Sequence, residues 1–428
     1  MSQSRQPSHG SREPSFPPRS TPHTPSSVWG IAVLILVGLG CATAFAACDN
    51  GPTTPPPVQP EPLDPTLVAQ GQQIFRFETF DDERFWTDTA RMHEVVESAV
   101  SPALALQVGL KVDVDALPQA VKDAIVAGQV DLNDPATTVT LLKLNSVVGL
   151  KGTVTQTAAG KDTLTRLGIT CALCHSTVDN SFAPGIGKRV DGQPNHDLNV
   201  GAIIALSPAV PASAKAIYNS WGPGMYDARF NFDGKSIPAV IPPAYGLNGV
   251  AKEIYTGDGP VSYWNAYVAV TQMHGQGSFQ DQRLGINIVK SPDVVTPLLP
   301  ALRQYQFSLA VPRPAASTID AAAAARGQAL FAGAATCARC HSGALLTDVN
   351  QGVLHSAAEI GADAQFAARS ATGKYRSTPL RGLLGHAPYF HDGSAKTLAD
   401  VVVHYDQLLT LGLTAQQRTD LVEYLKTL

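Results

Sequence analysis

Apolar positions along the chain fall into three regimes. Residues 1–28, rich in Ser, Pro and Arg, carry no apolar period and are expected to be disordered. Trp29 to Ala47 is almost continuously apolar, the pattern of an export signal or a membrane anchor. Residues 49–65, with Pro55-Pro56-Pro57, read as a semi-rigid tether. From Thr66 onward the pattern becomes helical. Leu117 to Ala127 and Thr138 to Val148 place apolar residues at three- and four-residue steps, and Glu83 to Ala99 has helix-compatible composition. Val261 to Gln272 and Thr414 to Lys426 predict two more helices, and Asp320 is placed to cap an alanine-rich one.

One pattern occurs twice. Ala69-Gln-Gly-Gln-Gln-Ile-Phe75 and Ala325-Arg-Gly-Gln-Ala-Leu-Phe331 share A-x-G-Q-x-[IL]-F, an internal repeat. Each copy precedes a C-x-x-C-H pentapeptide, Cys171-Ala-Leu-Cys174-His175 and Cys337-Ala-Arg-Cys340-His341. In C-x-x-C-H two thiols add to the vinyl groups of one haem, and the neighbouring imidazole is held beneath the iron. A redox-active C-x-x-C or half of a zinc site is the alternative, but zinc needs two further Cys or His ligands at short spacing, and the sequence offers none. The A-x-G-Q-x-[IL]-F stretch marks the helix that packs against haem in ordinary cytochromes c. Gly327 stands ten residues before Cys337, whereas Gly71 stands one hundred before Cys171. An insertion of about residues 81–165, helical by its periodicity, therefore sits inside the first unit. The expected fold is mainly α, two cytochrome c-like haem domains in tandem: residues 66–307, a linker at 308–319, and residues 320–428.

Composition sharpens this picture. With 428 residues, 44% of them hydrophobic and 15% charged, the chain has material for a substantial core. A net charge of −4 without charged blocks gives no argument for nucleic acid. Of six cysteines, four lie in the two motifs and the others are Cys41 and Cys48. None remains for a structural disulfide, so the haems themselves, each tied at two points, are the expected staples. Phe45-Ala46-Ala47-Cys48 resembles the lipobox of bacterial lipoproteins, which would make residues 29–48 a lipoprotein signal; an uncleaved single-span anchor is the alternative. Either places the body on the periplasmic side of a bacterial membrane.

Sixth ligands are sought next. Downstream of the first motif stand Pro243-Ala-Tyr-Gly246-Leu247-Asn-Gly249 and the helix ending at Met273-His274; downstream of the second stand Pro379-Leu-Arg-Gly382-Leu383-Leu-Gly385 and Leu398 to Tyr405. By this correspondence Met273 is the first candidate for the first haem and His274 the second. Met225, Met92 and His93 are weaker, being more often packing or surface groups. The chain has four methionines and none follows Met273. The second unit must therefore draw on His355, His386, His391, His404 or Tyr405, or keep an open site. Lys188 and Arg189 are candidates for haem propionates. His196 and Glu253 are the candidate acid-base groups.

Tyr375-Arg-Ser-Thr-Pro-Leu-Arg-Gly, Ala387-Pro-Tyr-Phe-His-Asp-Gly-Ser394 and Val401 to Tyr405 resemble the bacterial di-haem cytochrome c peroxidase and MauG superfamily. The resemblance covers roughly residues 320–428 well and 166–300 loosely. It implies a sixth ligand fourteen positions after His391, which is Tyr405, the MauG-like choice, with adjacent His404 as the alternative. It also implies a calcium ion at the domain junction, for which no ligand motif is evident.

Two functions follow as expectations. In one, both irons are six-coordinate and pass electrons between a membrane donor or cytochrome partner and a periplasmic acceptor. In the other, one iron binds hydrogen peroxide while the second supplies an electron, which requires an open or displaceable site and an acid-base group. Oxidation of an organic or protein substrate shares the same scaffold.

Overall fold

The structure, a computed structural model, describes residues 58–428. The expected leader, the apolar segment at 29–48 and most of the tether lie outside the described residues. Among the described residues no helix is long and apolar enough to cross a membrane.

The frame is built from α1 (Pro65–Phe77), α2 (Met92–Ala99), α3 (Gln119–Val126), α4 (Pro135–Lys143), α5 (Val261–Thr271), α6 (Leu299–Ser308), α7 (Ala321–Ala332), α8 (Leu398–Leu408) and α9 (Ala415–Lys426). Local chemistry starts these helices where the sequence suggests. Asp64 accepts from the amides of Thr66 and Leu67 to open α1, and Asp320 accepts from Ala322 and Ala323 to open α7. Thr397 with Asp400, and Thr414 with Gln417, form capping boxes on α8 and α9.

The repeated heptapeptide has a packing reason. A Cβ on Gly71 of α1 would lie 2.0 Å from the Ala301 carbonyl oxygen on α6, and one on Gly327 of α7 would lie 2.0 Å from that of Asp420 on α9. Only glycine permits such backbone contact between crossing helices. Four residues further along each pair an aromatic contact locks the crossing: Phe75 meets Tyr305 edge-on at 5.4 Å, and Phe331 meets Tyr424 at 5.2 Å. The two crossings are the same device written twice.

The insertion departs from the expectation of helix throughout. Glu83 to Ala99 is two elements: a π-helical turn at Arg84–Thr89, then a break where Arg91 takes a left-handed φ of 55°, then α2. The helices expected at 117–127 and 138–148 are found as α3 and α4, the second beginning and ending earlier. Beyond them β1 (Leu150–Gln156) and β2 (Asp162–Ile169) form an antiparallel hairpin that the helical reading missed. Its signal was present in the alternating β-branched residues of Gly152-Thr-Val-Thr and the turn at Gly160, whose φ is +78°. α2, α4 and β2 together enclose a core of Met92, Val96, Val139, Leu142, Leu164 and Leu167. Leu173, from inside the first C-x-x-C-H, belongs to that same core.

The two halves meet along a seam threaded by the linker. Gly246 and Gly382, counterparts in the two P-x-x-G-L segments, both adopt positive φ, 69° and 62°. A Cβ on either would press against Val311, at 3.2 and 3.0 Å. Tyr245 donates to the Gly382 carbonyl at 3.0 Å. Arg369 of the second half clasps Asp227 of the first with two hydrogen bonds of 2.8 and 3.0 Å, and its Nε bonds Asp233 at 2.8 Å.

Candidate functional site

β2 runs straight into the first motif. The carboxylate of Asp82 accepts from the Ile169 amide at the end of β2, and Thr170 donates its hydroxyl to the Arg76 carbonyl at the end of α1. These bonds hold Cys171 at the start of a single helical turn, Ala172–His175, which presents both thiols on one side. His175 Nδ1 donates to the Pro242 carbonyl at 3.0 Å. A carbonyl only accepts, so Nδ1 carries the proton and Nε2 keeps the lone pair that binds metal. Burial pushes the imidazole down to about 4 and both thiols up to about 12. All three groups are therefore uncharged at neutral pH, as an apolar socket requires.

Cys171, Cys174 and His175 line a cavity of about 310 Å³. Its walls include Val96, Leu110, Leu198 and Val268, with Trp264 and Met273. Met273 is buried, 4% exposed, and its carbonyl accepts from the Trp86 indole at 3.1 Å. His274 turns away through a positive φ of 66° and stacks on Phe85 with ring centroids 3.6 Å apart. Of the two candidates, Met273 shares the cavity with the first motif. Glu253 lines it as well; burial raises its carboxyl, which accepts from the Val261 amide at 3.2 Å and from Arg303 at 3.3 Å. His196 does not line it, and donates from Nε2 to the Ile241 carbonyl at 3.2 Å. Met92 is in the wall, while His93 and Met225 are not. Lys188 is absent from the wall too, and Arg189 pairs with Asp113 at 3.1 Å.

The second motif opens with a tight turn after α7, Cys337–Arg339. His341 Nδ1 donates to the Leu346 carbonyl at 3.1 Å, the same tautomer-fixing contact as at His175. Burial lowers this imidazole too. Around the motif lie Phe331, Leu383, Leu398, Val402, Leu421 and Leu425. Burial pushes the Tyr405 phenol up to about 12, and the thiols of Cys340 and Cys337 are close enough to raise it further. His404, its neighbour, is turned the other way: Nε2 donates to the Ile360 carbonyl at 2.9 Å and the ring lies 4.7 Å from Phe390. His391 contacts the Tyr375 hydroxyl at 3.3 Å, and His355 lies between Asp348 and Glu359 at 2.9 and 2.8 Å.

Two wall residues of the first cavity were not singled out as its ligands in the sequence, Arg376 and His386, both from the second half. Arg376 Nε and His386 Nε2 are buried without hydrogen-bond partners. The residues fit haem c. Paired thiols stand one turn apart, an imidazole has its far nitrogen occupied, the cavity is largely apolar, and buried polar atoms await a ligand.

Comparison with known proteins agrees. Residues 324–428 match the family model described as cytochrome c. Cytochrome-c peroxidase IdrP1 of Denitromonas iodatirespirans is 29% identical over a region covering 25% of this chain and 40% of its own length. Methylamine utilization protein MauG of Methylorubrum extorquens is 33% identical over 24% of this chain and 34% of its own. Residues 324–428 thus form a cytochrome c domain, and the chain is similar to members of the di-haem cytochrome c peroxidase and MauG superfamily. Its match spans two fifths or less of the length of these superfamily relatives. Among solved structures, a Kuenenia stuttgartiensis hydrazine synthase chain is similar at 20% identity and a TM-score of 0.33, covering 45% of this chain and 72% of that one. A MauG-like protein associated with microbial copper homeostasis is similar at 19% identity and a TM-score of 0.32, covering 45% and 74%. The cytochrome c domain and the two curated relatives support covalently bound haem c as the cofactor of this mainly helical chain.

Proposed function

We propose that the protein carries two haems c, one at Cys171, Cys174 and His175 and one at Cys337, Cys340 and His341, in two cytochrome c-like units. We further propose that it passes electrons between them on the periplasmic side of a bacterial membrane, and that this transfer feeds reduction of hydrogen peroxide at the first site. The observation that carries the reading is the matched pair of imidazoles, each beside two thiols and each with Nδ1 donated to a backbone carbonyl. The repeated glycine crossing supports two units, and the apolar run at 29–47 supports export. A relative named as a cytochrome-c peroxidase supports peroxide as the oxidant.

Haem c, when bound, supplies a one-electron couple at each site and a coordination position for a peroxide oxygen where one is open. The protein groups supply the rest. Peroxide reduction consumes two electrons and two protons and releases two waters. Glu253, whose carboxyl is raised by burial at the cavity wall against the pull of Arg303, is the group placed to deliver a proton. Met273, in the same cavity, is a weak and displaceable ligand candidate. Apolar walls keep bulk water from competing.

A second reading is oxidation of an organic or protein substrate, as the resemblance to MauG suggests. The observation that favours it is Tyr405, whose buried phenol is near enough to the second pair of thiols to feel them electrostatically. Low-temperature EPR of the oxidised and half-reduced protein separates these readings from simple electron carriage. A high-spin signal at the half-reduced stage, with peroxide consumption by the reduced protein, supports the enzyme. Low-spin signals only, two in the oxidised protein and one at the half-reduced stage, leave electron transfer alone.

A further inference from the structure

We propose that Arg376, supplied by the second half, binds a propionate of the haem carried by the first half. The inference rests on the two-haem reading above and adds to it the residue that holds the first haem's acidic edge.

The argument begins with an uncompensated cation. Arg376 is 9% exposed, and among the described residues it makes no ion pair. Its Nη1 donates to the Lys252 carbonyl at 3.1 Å, and its Nε has no partner at all. Burying an ion without a counterion costs several kcal/mol even after relaxation, so a bare guanidinium in this position calls for an anion. The chain does not provide one. Glu253 is near enough to be felt electrostatically, but its Oε1 is engaged by Arg303 and its Oε2 by the Val261 amide. The phenol of Tyr255 is the other nearby acid, and burial holds it up at about 12, so it stays neutral.

His386 stands on the same wall as a neutral imidazole, lowered to about 4 by burial and hydrogen-bonded to the Arg381 carbonyl, so it adds no charge there. Its Nε2 is buried without a partner, and its ring lies 5.6 Å from that of Tyr245, also a wall residue. Arg381 reaches the wall from between them and donates to the Gly246 carbonyl at 3.2 Å. The guanidinium's free Nε–H matches an oxygen of a carboxylate. Cys171, Cys174 and His175 belong to the same cavity. A porphyrin tied to those thiols on its vinyl edge has its carboxylates on another edge, and this wall is where the structure keeps a donor for them.

The test uses the full chain matured in a host competent in haem c attachment. Haem is counted by pyridine haemochrome, and both one-electron steps are followed by spectropotentiometry. In Arg376→Gln the positive charge beside the propionate is lost, which favours the ferric state. One step should move to lower potential by on the order of tenfold in the oxidised-to-reduced ratio, about 59 mV for a one-electron couple. The other step should move by less than a third of that. Arg376→Lys should restore most of the shift. Two haems per chain with neither step moved in Arg376→Gln overturns the proposal and leaves the two-haem reading standing. Fewer than two haems in the unaltered protein overturns both. Where Arg376→Gln does not accumulate, an experimental structure of the unaltered holoprotein decides: a propionate oxygen within hydrogen-bond distance of Arg376 Nε supports the site, and propionates directed elsewhere overturn it.

Discussion

Burial raises the Glu253 carboxyl from its ordinary value, which favours its protonated form. Because the raised carboxyl is protonated at low pH and ionised at high pH, peroxide turnover should fall as pH rises through its folded value. Glu253→Gln should lower the rate by on the order of 10²–10⁴ while the haem count is unchanged, as steady-state assays would show. Replacing Met273 with Ala should convert the first haem from low to high spin, an outcome EPR reads directly; an unchanged low-spin signal would remove Met273 from the ligand set. Legibility at this scale depended on distance along the chain. Five consecutive residues define each attachment motif, so both could be read without a structure. Consecutive positions on a helix point about 100° apart, and only the fold shows that Tyr405 faces the thiols while His404 faces Ile360. Arg376 stands more than two hundred residues after the thiols whose cavity it lines, and no local pattern announces such a partner.

The helix crossings turn a usual rule around. Glycine to alanine in a helix normally gains stability of about 0.5–1 kcal/mol. At Gly71 and Gly327 the added methyl meets a backbone carbonyl, so each substitution should instead destabilise by about 1–3 kcal/mol or more through overpacking. Thermal melts of Gly327→Ala and of a surface control, Gly128→Ala, would show the contrast, since a Cβ at Gly128 meets nothing within 4 Å. Gly128 itself takes a φ of +66°, so its modest loss measures backbone strain without collision. The hold of β2 on the first motif has a pH signature as well. Burial and the nearby Glu83 carboxylate raise Asp82 to about 9. Below its unfolded value the group is protonated in both states and its contribution is complete; as pH rises toward 9 the unfolded chain releases a proton the folded one retains, and stability declines. Melting temperature should therefore fall between pH 5 and 9, and Asp82→Asn should flatten that slope. The hairpin was hidden for a related reason: its two strands are short, and their pairing is decided by the core under Leu164 and Leu167 rather than by period alone.

The seam makes one body of the two halves, and Arg369 is its main electrostatic tie. Its side chain is 6% exposed and that of Asp227 is 2%. Arg369→Leu leaves the buried Asp227 carboxylate without its cation and with only the Arg229 and Ile237 amides as partners, a loss of about 3–5 kcal/mol. Calorimetry should then resolve two transitions where the unaltered protein gives one. The paired helix crossings were legible because the same heptapeptide recurs at Gly71 and Gly327. The seam was not, because its ties join residues that share no pattern.

The far wall of the first cavity has an implication for biogenesis. Its thiols leave the ribosome some two hundred residues ahead of Arg376 and His386. A polypeptide cut after Pro314 would present Cys171 and Cys174 to the attachment machinery with that side of the chamber still missing. Ligation there can proceed on an open, unfinished vessel, and the closing of the second half over it is what turns a tethered pigment into an enclosed one.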